Sequence, residues 1–287
     1  MTASCISVRT IGLIVKQGNP QAAQVAQEVA TWLAARNALA FTVEHTHTGT
    51  GEKLVSTADL ILTFGGDGTI ISVARQMLGT GIPIAGVNFG QVGFLAEIAQ
   101  EAWQTHLEQI LTQPVPITTR MTLQFSIYRN NAVLAQGEVI NDAVLTRGNL
   151  ARLVRLELGV DNTPFFTLRA DGIIISTPTG STGYAGSAGG PLMVPNLNSY
   201  IVAAICPFLS SFPPLMLPAE MPFSITVCEG GTELFLTLDG QNMHHLEVGD
   251  IVTLQGLPNR FCMANLLKEN YFTRLHNAGF IQQAQCK

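Results

Sequence analysis

Residues Leu60 to Leu78 read Leu-Ile-Leu-Thr-Phe-Gly-Gly-Asp-Gly-Thr-Ile-Ile-Ser-Val-Ala-Arg-Gln-Met-Leu. The apolar run Leu60–Phe64 predicts a buried strand, and the apolar residues over Ile70–Leu78 predict a helix. Between them lies a glycine-rich turn, so the segment has the order strand, turn, helix from which α/β sheets are built. Because open α/β sheets bind ligands at the carboxyl ends of their strands, this turn is a candidate site.

Short apolar runs alternate with helical patterns over the first hundred residues, which indicates a parallel sheet with crossover helices. Further strands are predicted over Thr10–Val15, Ala40–Val43 and Pro83–Val87. The pair Asn19-Pro20 predicts a helix start, because Asn is a good N-cap and Pro suits the first helical position. A second amphipathic helix is predicted over Glu101–Leu111.

The pattern changes near Pro114 and Pro116, after which apolar and polar residues alternate with a period of two. Strands are predicted, for example, over Val133–Leu145, Ile251–Leu254 and Phe261–Leu266. Many short strands separated by turn residues are typical of an all-β domain, and we expect a sandwich.

These patterns divide the chain into two predicted domains. An N-terminal Rossmann-like α/β domain is predicted over residues 1–113, and a C-terminal β-sandwich-like all-β domain over 114–266. The C-terminal segment, about 267–287, includes a helix-like stretch and is expected to pack back onto the first domain.

The composition limits the classes of partner. Hydrophobic residues make up 47% of the 287 residues and charged residues only 12%, so disorder is a poor interpretation. The net charge is −5 and there are four lysines, Lys16, Lys53, Lys268 and Lys287. A protein that binds nucleic acid by neutralising phosphates is basic, so we expect no nucleic-acid partner.

Cysteine usage and hydropathy bear on the compartment. The 5 cysteines are spread along the chain without a Cys-x-x-Cys pair, which favours a reducing environment over a disulfide framework. The longest mostly apolar stretch, Tyr200–Leu209, is about half the length of a membrane span. We therefore expect a cytoplasmic protein with no membrane partner.

The turn Gly65-Gly66-Asp67-Gly68-Thr69 combines features of an anion site with one carboxylate. Gly66 and Gly68 would let a phosphate approach the backbone closely at the start of a helix. Asp67 would suit a base acting on a hydroxyl, or a ligand for a metal that bridges phosphates. The Walker and Rossmann glycine patterns are both missing. The alternative is a purely structural tight turn with Thr69 as the N-cap.

A second motif extends from Asp171 to Pro191. A predicted strand ends at Ser176, and the next eleven residues are dominated by Ser, Thr and Gly. This segment offers hydroxyl and backbone donors without charge, and Tyr184 offers an aromatic face on which a base can stack. The alternative is a flexible polar loop, but Pro178 and Tyr184 favour an ordered one.

Four motifs in this order and spacing resemble the bacterial NAD kinase family, and the similarity covers nearly the whole chain. They are GGDGT (65–69), NDAVLTRG (141–148), RADGIIISTPTGSTGYAGSAGGP (169–191) and LDGQ (238–241). GGDGT alone is shared with diacylglycerol and sphingosine kinases, so the long TPTGST segment makes the match specific. The resemblance implies phosphorylation of the 2′-hydroxyl of NAD⁺ by ATP.

The resemblance also implies roles for individual residues. Asp67 matches the catalytic Asp, which would act as a general base on the ribose 2′-hydroxyl. Asn141 and Asp142 match the pair that binds the NAD ribose and adenine. The remaining positions match residues that bind or line the NAD site: Arg152, Arg169, Asp171, Thr182, Gly183, Tyr184, Ala185, Gly186, Ser187 and Gln241. Phe208 and Pro213 stand where relatives often carry His and Arg.

Cofactors and partners follow from the same resemblance. ATP is expected as the phosphoryl donor, with inorganic polyphosphate as an open alternative, and Mg²⁺ is expected with the phosphates although no protein ligand is assigned. NAD⁺ is the expected acceptor. A homodimer or homotetramer is expected because family members complete their sites with neighbouring subunits.

Two alternative functions remain open at this point. A lipid or sphingoid kinase would share GGDGT but would leave TPTGST unexplained. A catalytically silent dinucleotide-binding regulator would bind NAD or NADP without turnover, but it would have no need of Asp67. The histidines give a weak case for zinc, since neither His45-x-His47 nor His244-His245 has a Cys or carboxylate at ligand spacing.

The scarcity of lysine leads to a first prediction. Because the chain is acidic, we expect backbone N–H groups and a divalent cation, rather than a basic patch, to hold the phosphates. Removing Mg²⁺ with EDTA should abolish NADP⁺ formation, whereas replacing any one of the four lysines by Ala should change the rate by less than about threefold. Loss of activity in a single-lysine variant that still folds would contradict this prediction.

Overall fold

The computed structural model describes residues 4–45, 57–89, 93–148, 153–209, 212–230, 233–266 and 270–281. The chain divides into two compact units. The first contains residues 1–119 and 261–287, and the second contains residues 120–260. Two strands, β7 (Val115–Arg129) and β18 (Ile251–Ala264), contain the points at which the chain passes from one unit to the other.

The first unit is an α/β unit. Its strands are β1 (Ser4–Ile6), β2 (Ile11–Lys16), β3 (Leu39–His45), β4 (Leu60–Gly65), β5 (Pro83–Asn88) and β6 (Ile98–Ala99). Its helices are α1 (Pro20–Ala34), α2 (Asp67–Gln76) and α3 (Trp103–Thr112), the last preceded by a 3-10 turn over Gln100–Ala102. Strands β5, β4, β2 and β3 pair in parallel in that order, and the end of β18 pairs in parallel with β5.

Helix α1 forms where the sequence predicts it. The Asn19 side chain accepts a hydrogen bond from the Ala22 N–H, and Pro20 occupies the first turn. Its buried face includes small residues such as Ala22 and larger ones such as Leu33, whereas Trp32 is only partly buried. Apolar packing against the strands of the sheet therefore holds this helix.

The described part of the second unit consists mainly of β-strands, most of which pair antiparallel with their neighbours. Its remaining strands are β8 (Ala132–Val139), β9 (Asp142–Arg147), β10 (Val154–Val160), β11 (Thr163–Ala170), β12 (Gly172–Ser176), β13 (Ser199–Ile205), β14 (Leu215–Pro218), β15 (Phe223–Glu229), β16 (Leu234–Leu238) and β17 (Asn242–Leu246). A 3-10 turn over Thr179–Thr182 and the short helix α4 (Tyr184–Ser187) follow β12.

Two sheets share the core of the second unit. One contains β11, β10, β15 and the first part of β18, and the other has the order β14, β13, β12, β9, β16, β17. Side chains from both sheets, such as Leu156 and Ile225 from the first and Leu145 and Ile173 from the second, form one buried cluster. The predicted fold class, an α/β part followed by an all-β sandwich, is therefore confirmed.

The six-stranded sheet is buried on its second face as well. Val144, Ile174 and Ile201 point away from the shared core and pack with Ala185 and Met193. Because Ala185 and Met193 belong to the segment that follows β12, the Ser, Thr and Gly-rich segment is anchored on this face of the sheet by apolar contacts.

Two strand predictions are wrong in their bounds. The run Val133–Leu145 is not one strand, because β8 ends at Val139 and β9 begins at Asp142 in the other sheet. Conversely, one strand, β18, contains the run 251–254 and residues 261–264 of the run 261–266. Helix α2 begins at Asp67, so Thr69 lies inside the helix and Gly66 is the N-cap.

Helix α5 (Tyr271–Asn277) follows β18 and belongs to the first unit. Asn270 caps it by accepting a hydrogen bond from the Phe272 N–H. Among the described residues, no helix is long and apolar enough to span a membrane.

A buried tyrosine allows a test of the second unit's core. Tyr200 is fully buried in β13, and its hydroxyl donates a hydrogen bond of 2.6 Å to the Met221 carbonyl. We expect Tyr200→Phe to lower the free energy of unfolding by about 1–2 kcal/mol, because the buried carbonyl loses its donor. Tyr128→Phe is the matched control, because within the described residues the half-buried Tyr128 hydroxyl makes no hydrogen bond. Equal urea midpoints for the two variants would contradict the prediction.

Candidate active site

The glycine-rich turn lies at the carboxyl end of β4. Gly65 ends the strand and must be glycine, since a Cβ there would overlap the Thr69 side chain. Gly66 is the N-cap of α2 and has no side chain to cap the first turn. At Gly66 and Gly68, apart from the chain neighbours and the adjacent helix backbone, no atom of the described residues lies within 4 Å of where a Cβ would stand. The protein's own packing thus does not require these two glycines, and they leave open space above the backbone at a helix start, as an anion site does.

The Asp67 carboxylate is held by three backbone N–H groups. The N–H of Phe94 donates to Oδ2 at 2.8 Å, and those of Leu95 and Ala96 donate to Oδ1 at 3.1 and 3.0 Å. Gly93 is required beside it, because a Cβ there would overlap the carboxylate. An ionised carboxylate can accept about four hydrogen bonds, so about one acceptor position remains for a ligand.

In the second unit, Asn141 and Asp142 lie where the chain passes from β8 to β9. The Asp239 carboxylate accepts hydrogen bonds from the N–H groups of Ile140, Asn141 and Asp142, and the shortest, from Asn141, is 2.6 Å. The Asp239 N–H in turn donates to the Asp142 carbonyl at 2.9 Å. Asp239 therefore fixes the backbone of the Asn141-Asp142 pair. Sequence reasoning missed this role, although the LDGQ motif contains the residue.

The turn that carries Asp239 has a left-handed backbone conformation that its Asp-Gly sequence favours. Asp239 and Gly240 both have positive φ, 51° and 64°, and the Gln241 N–H donates to the Leu238 carbonyl at 3.0 Å. Two consecutive positive φ values define a type I′ turn, which Asp-Gly favours. The turn leaves Gln241 exposed at the end of the β16–β17 hairpin.

The segment after β12 is ordered by hydrogen bonds to the Asn141 region. The Thr177 hydroxyl donates to the Ile140 carbonyl at 2.6 Å, and the Thr177 N–H donates to the Asn141 carbonyl at 2.8 Å. A Cβ at Gly180 would overlap the Asn141 carbonyl oxygen and stand 2.6 Å from Ser176 Oγ. The structure thus brings the Asn141-Asp142 pair, the Asp239 turn and the TPTGST segment together, although they are far apart in sequence.

Two polar atoms in this cluster are buried and unpartnered. Within the described residues, neither Asn141 Oδ1 nor Thr179 Oγ1 has a hydrogen-bond partner. Because buried polar groups are nearly always satisfied, such atoms indicate a ligand or water that completes them.

The Asp142 carboxyl is buried and close to another acid. Burial, and secondarily the negative charge of Asp239, raise the pKa of Asp142 to about 7. Near neutral pH this carboxyl is therefore present in both protonation states, so it can donate as well as accept a hydrogen bond.

The other predicted site residues of the second unit differ in exposure. Asp171 is ion-paired with Arg147 at 2.6 Å, a partner that sequence reasoning missed although it lies in the NDAVLTRG motif. Arg169 is exposed, and its guanidinium lies 5.7 Å from the ring centre of Phe208. Tyr184 is 46% exposed and Ala185 is buried.

The rest of the segment is at or near the surface. Gly183 and Ser187 are exposed, and Thr182 and Gly186 are half-buried. A Cβ at Gly183 would stand 3.2 Å from the Gly180 carbonyl oxygen, so an alanine needs only a small shift there. Arg152 and His47 lie outside the described residues.

The described histidines make other contacts. His45 Nε2 lies 2.8 Å from Ser72 Oγ, and His244 and His245 pack against Phe125 and Phe235. Over the described ranges, no three His, Cys, Asp or Glu side chains are grouped as metal ligands.

Comparisons with known proteins agree with the resemblance. Two family models match the chain, the ATP-NAD kinase N-terminal domain over residues 43–115 and the ATP-NAD kinase C-terminal domain over residues 140–265. The chain is 43% identical over 284 residues to an NAD kinase of Nitratidesulfovibrio vulgaris (strain DP4), covering 97% of this chain and 94% of the relative. It is 39% identical to an NAD kinase of Oleidesulfovibrio alaskensis, covering 96% and 94%.

Two solved structures share the fold. Yeast NADH kinase complexed with NADH has a TM-score of 0.83 at 21% identity, covering 99% of this chain and 96% of that one. An NAD kinase from Archaeoglobus fulgidus in complex with ATP has a TM-score of 0.75 at 23% identity, covering 94% and 100%. The relatives are NAD kinases, so the lipid kinase and silent regulator hypotheses find no support.

The raised pKa of Asp142 gives a test by pH. Its pKa of about 7 in the folded protein lies above its ordinary value of 3.8, so its stabilising contribution is complete below about pH 4 and is lost as the pH rises through 7. Because Asn does not ionise, the variant Asp142→Asn does not lose stability in this way as the pH rises. We therefore expect the variant's free energy of unfolding, relative to the parent, to increase from pH 4 to pH 8 by on the order of 2–4 kcal/mol.

Asp250→Asn provides a control of opposite sign. Burial would raise the pKa of Asp250, but hydrogen bonds from Arg129 and from the Glu247 N–H outweigh it and lower that pKa. Asp250→Asn should therefore destabilise the protein at neutral pH, with a smaller effect in acid. Parallel pH profiles for Asp142→Asn and the parent would contradict the assignment for Asp142.

Proposed function

The chain belongs to the NAD kinase family, and on that premise we propose that it transfers the γ-phosphoryl group of ATP to the 2′-hydroxyl of the adenosine ribose of NAD⁺. The products are NADP⁺ and ADP. The observation that carries the residue-level proposal is the Asp67 carboxylate, held by three N–H groups at an open glycine turn.

We propose that the phosphates of ATP lie at the start of α2. The open space at Gly66 and Gly68 supports this placement, since it lets anionic oxygens approach backbone N–H groups. The partial positive charge at a helix N-terminus favours negative charge there. This mode of phosphate binding needs no lysine, which agrees with the small number of lysines in the chain.

Asp67 is the proposed general base. Its three N–H donors orient the carboxylate, and the remaining acceptor position can receive the proton of the ribose hydroxyl. As that proton moves to Asp67, the 2′-oxygen forms a bond to the γ-phosphorus, and the bond from that phosphorus to the ADP oxygen breaks.

The proposed NAD contacts come from the second unit. Asn141 Oδ1 is buried without a partner among the described residues, so a ribose hydroxyl or the adenine amino group would satisfy it. Asp142, with its pKa of about 7, can pair with a donor or an acceptor on the same substrate. The half-exposed ring of Tyr184 is available for stacking.

The other residues are proposed for the NAD site because they match the motifs of the family. They are Arg152, Arg169, Asp171, Thr182, Gly183, Ala185, Gly186, Ser187 and Gln241. Of these, Asp171 has the most defined position, because the Arg147 ion pair holds its carboxylate.

A divalent cation, Mg²⁺, is proposed to accompany ATP. The described residues group no three His, Cys, Asp or Glu side chains, which fits a cation held mainly by phosphate oxygens and water. When bound, Mg²⁺ neutralises phosphate charge. We assign it no protein ligand, since the free acceptor position of Asp67 serves the hydroxyl. Polyphosphate remains an alternative donor.

We also propose a cytoplasmic location and a homo-oligomeric assembly. Among the described residues no cysteine forms a disulfide, which supports a reducing compartment such as the cytoplasm. A homodimer or homotetramer rests on the family resemblance alone.

Replacing Asp67 tests the proposed chemistry. We expect Asp67→Asn to lower kcat for NADP⁺ formation by about 10²- to 10⁴-fold, because the base is lost. The measurement is a dehydrogenase-coupled assay for NADP⁺ with ATP and Mg²⁺.

Asp59→Asn is the matched control. The Asp59 carboxylate also accepts backbone N–H hydrogen bonds, from Arg9 and Thr10 at 2.9 Å each, but it lies before β4, away from the glycine turn. Asp59→Asn should lower the stability of the protein without changing kcat of the folded enzyme. If Asp67→Asn were as active as Asp59→Asn, Asp67 would not be the base.

A further inference from the structure

The loop that holds Asp67 is itself held by the C-terminal helix. We propose that Arg274, in α5, is a positioning residue for Asp67: by clamping residues 94–97 it aligns the three N–H groups that orient the carboxylate. This inference rests on the proposed role of Asp67 as general base. All the contacts lie within the first unit.

The guanidinium of Arg274 contacts the loop at two points. Its Nη1 forms an ion pair of 2.6 Å with Glu97, and its Nη2 donates a hydrogen bond to the Phe94 carbonyl. Both charged side chains are largely buried, with exposures of 15% for Arg274 and 8% for Glu97. A planar guanidinium can bind two fixed acceptors at once, which makes it a suitable clamp.

Two further contacts tie the same loop to the C-terminal segment. The Leu266 N–H donates to Glu97 Oε2 at 3.2 Å, so the Glu97 carboxylate is bound from two sides. The Phe94 ring lies 6.5 Å from that of Tyr271 and 5.3 Å from that of Phe280, the latter edge to face. A backbone N–H group before α5 and side chains within and after α5 thus hold the loop.

The held residues are those that orient Asp67. Phe94 presents its carbonyl to Arg274 and its N–H to Asp67 Oδ2, and the N–H groups of Leu95 and Ala96 lie between the two clamped ends of the loop. If Arg274 releases the loop, these N–H groups lose their alignment and the carboxylate loses its orientation. Because rates depend steeply on the placement of a catalytic group, kcat should fall more than the KM for NAD⁺ changes.

The experiment compares Arg274→Gln with Arg274→Lys in the full-length chain. Two quantities are measured below the melting temperature of every variant: steady-state kcat and KM for NAD⁺, and hydrogen–deuterium exchange of the amides of residues 94–96. Arg274→Gln should lower kcat by about 10- to 100-fold, with KM changed less than about threefold. It should also speed exchange at residues 94–96 by at least about tenfold. Arg274→Lys should retain part of kcat and part of the protection of these amides from exchange. Lys keeps the positive charge but lacks the planar guanidinium that binds two acceptors at once.

Arg260→Gln is the matched control. Arg260 forms a two-point pair with Glu138 at 2.6 and 3.0 Å, which resembles the Arg274 pair but lies in the second unit. Arg260→Gln should lower the melting temperature but leave kcat and the amide exchange at residues 94–96 unchanged. If both variants lost kcat in proportion to their melting temperatures, Arg274 would act only on stability and the proposal would be overturned.

Other outcomes separate this inference from the proposed function. Unchanged exchange at 94–96 in Arg274→Gln, or faster exchange with unchanged kcat, would overturn the positioning role alone, provided that Asp67→Asn is inactive in the same assay. Full activity of Asp67→Asn would overturn the proposed base and the positioning role that rests on it.

Discussion

Backbone N–H groups that converge on a carboxylate organise both candidate regions of this protein. Asp67 accepts three N–H groups from residues 94–96, and Asp239 accepts three from residues 140–142. In each case a short acidic side chain is joined to a segment distant in sequence, because several aligned donors hold a carboxylate in one orientation. The two regions differ in which partner is oriented. At Asp67 the N–H groups orient the carboxylate, whereas at Asp239 the carboxylate orients the backbone of its neighbours.

This use of the backbone is connected with the low charge content. Only 12% of the residues are charged, and several described arginines form buried or half-buried pairs, such as Arg129 with Asp250 and Arg274 with Glu97. Cations engaged in such pairs are less available to bind a polyanion. Binding of phosphates by N–H groups at a helix start, with a divalent cation, is physically consistent with the rest of the molecule.

The sequence predicted the elements well where their signals are local. The cap formed by Asn19 and Pro20 and the strand Leu60–Phe64 appear where their residues indicate. The errors concern where individual strands begin and end. Ile140 and Asn141 interrupt the predicted strand Val133–Leu145 because the Asp239 carboxylate binds their N–H groups, so this stretch contributes strands to two sheets.

By itself, the sequence determined the fold class and the family, because periodicity and the four motifs are read from neighbouring residues. Only the tertiary structure decided which polar groups meet. Asp239 binds Asn141 across 98 positions, and Arg274 binds Glu97 across 177. Nothing in a local pattern specifies such pairs, since an Asp in a turn or an Arg on a short helix is equally compatible with a solvated side chain. The partner is chosen when packing brings distant loops together and buries groups that must then find hydrogen bonds.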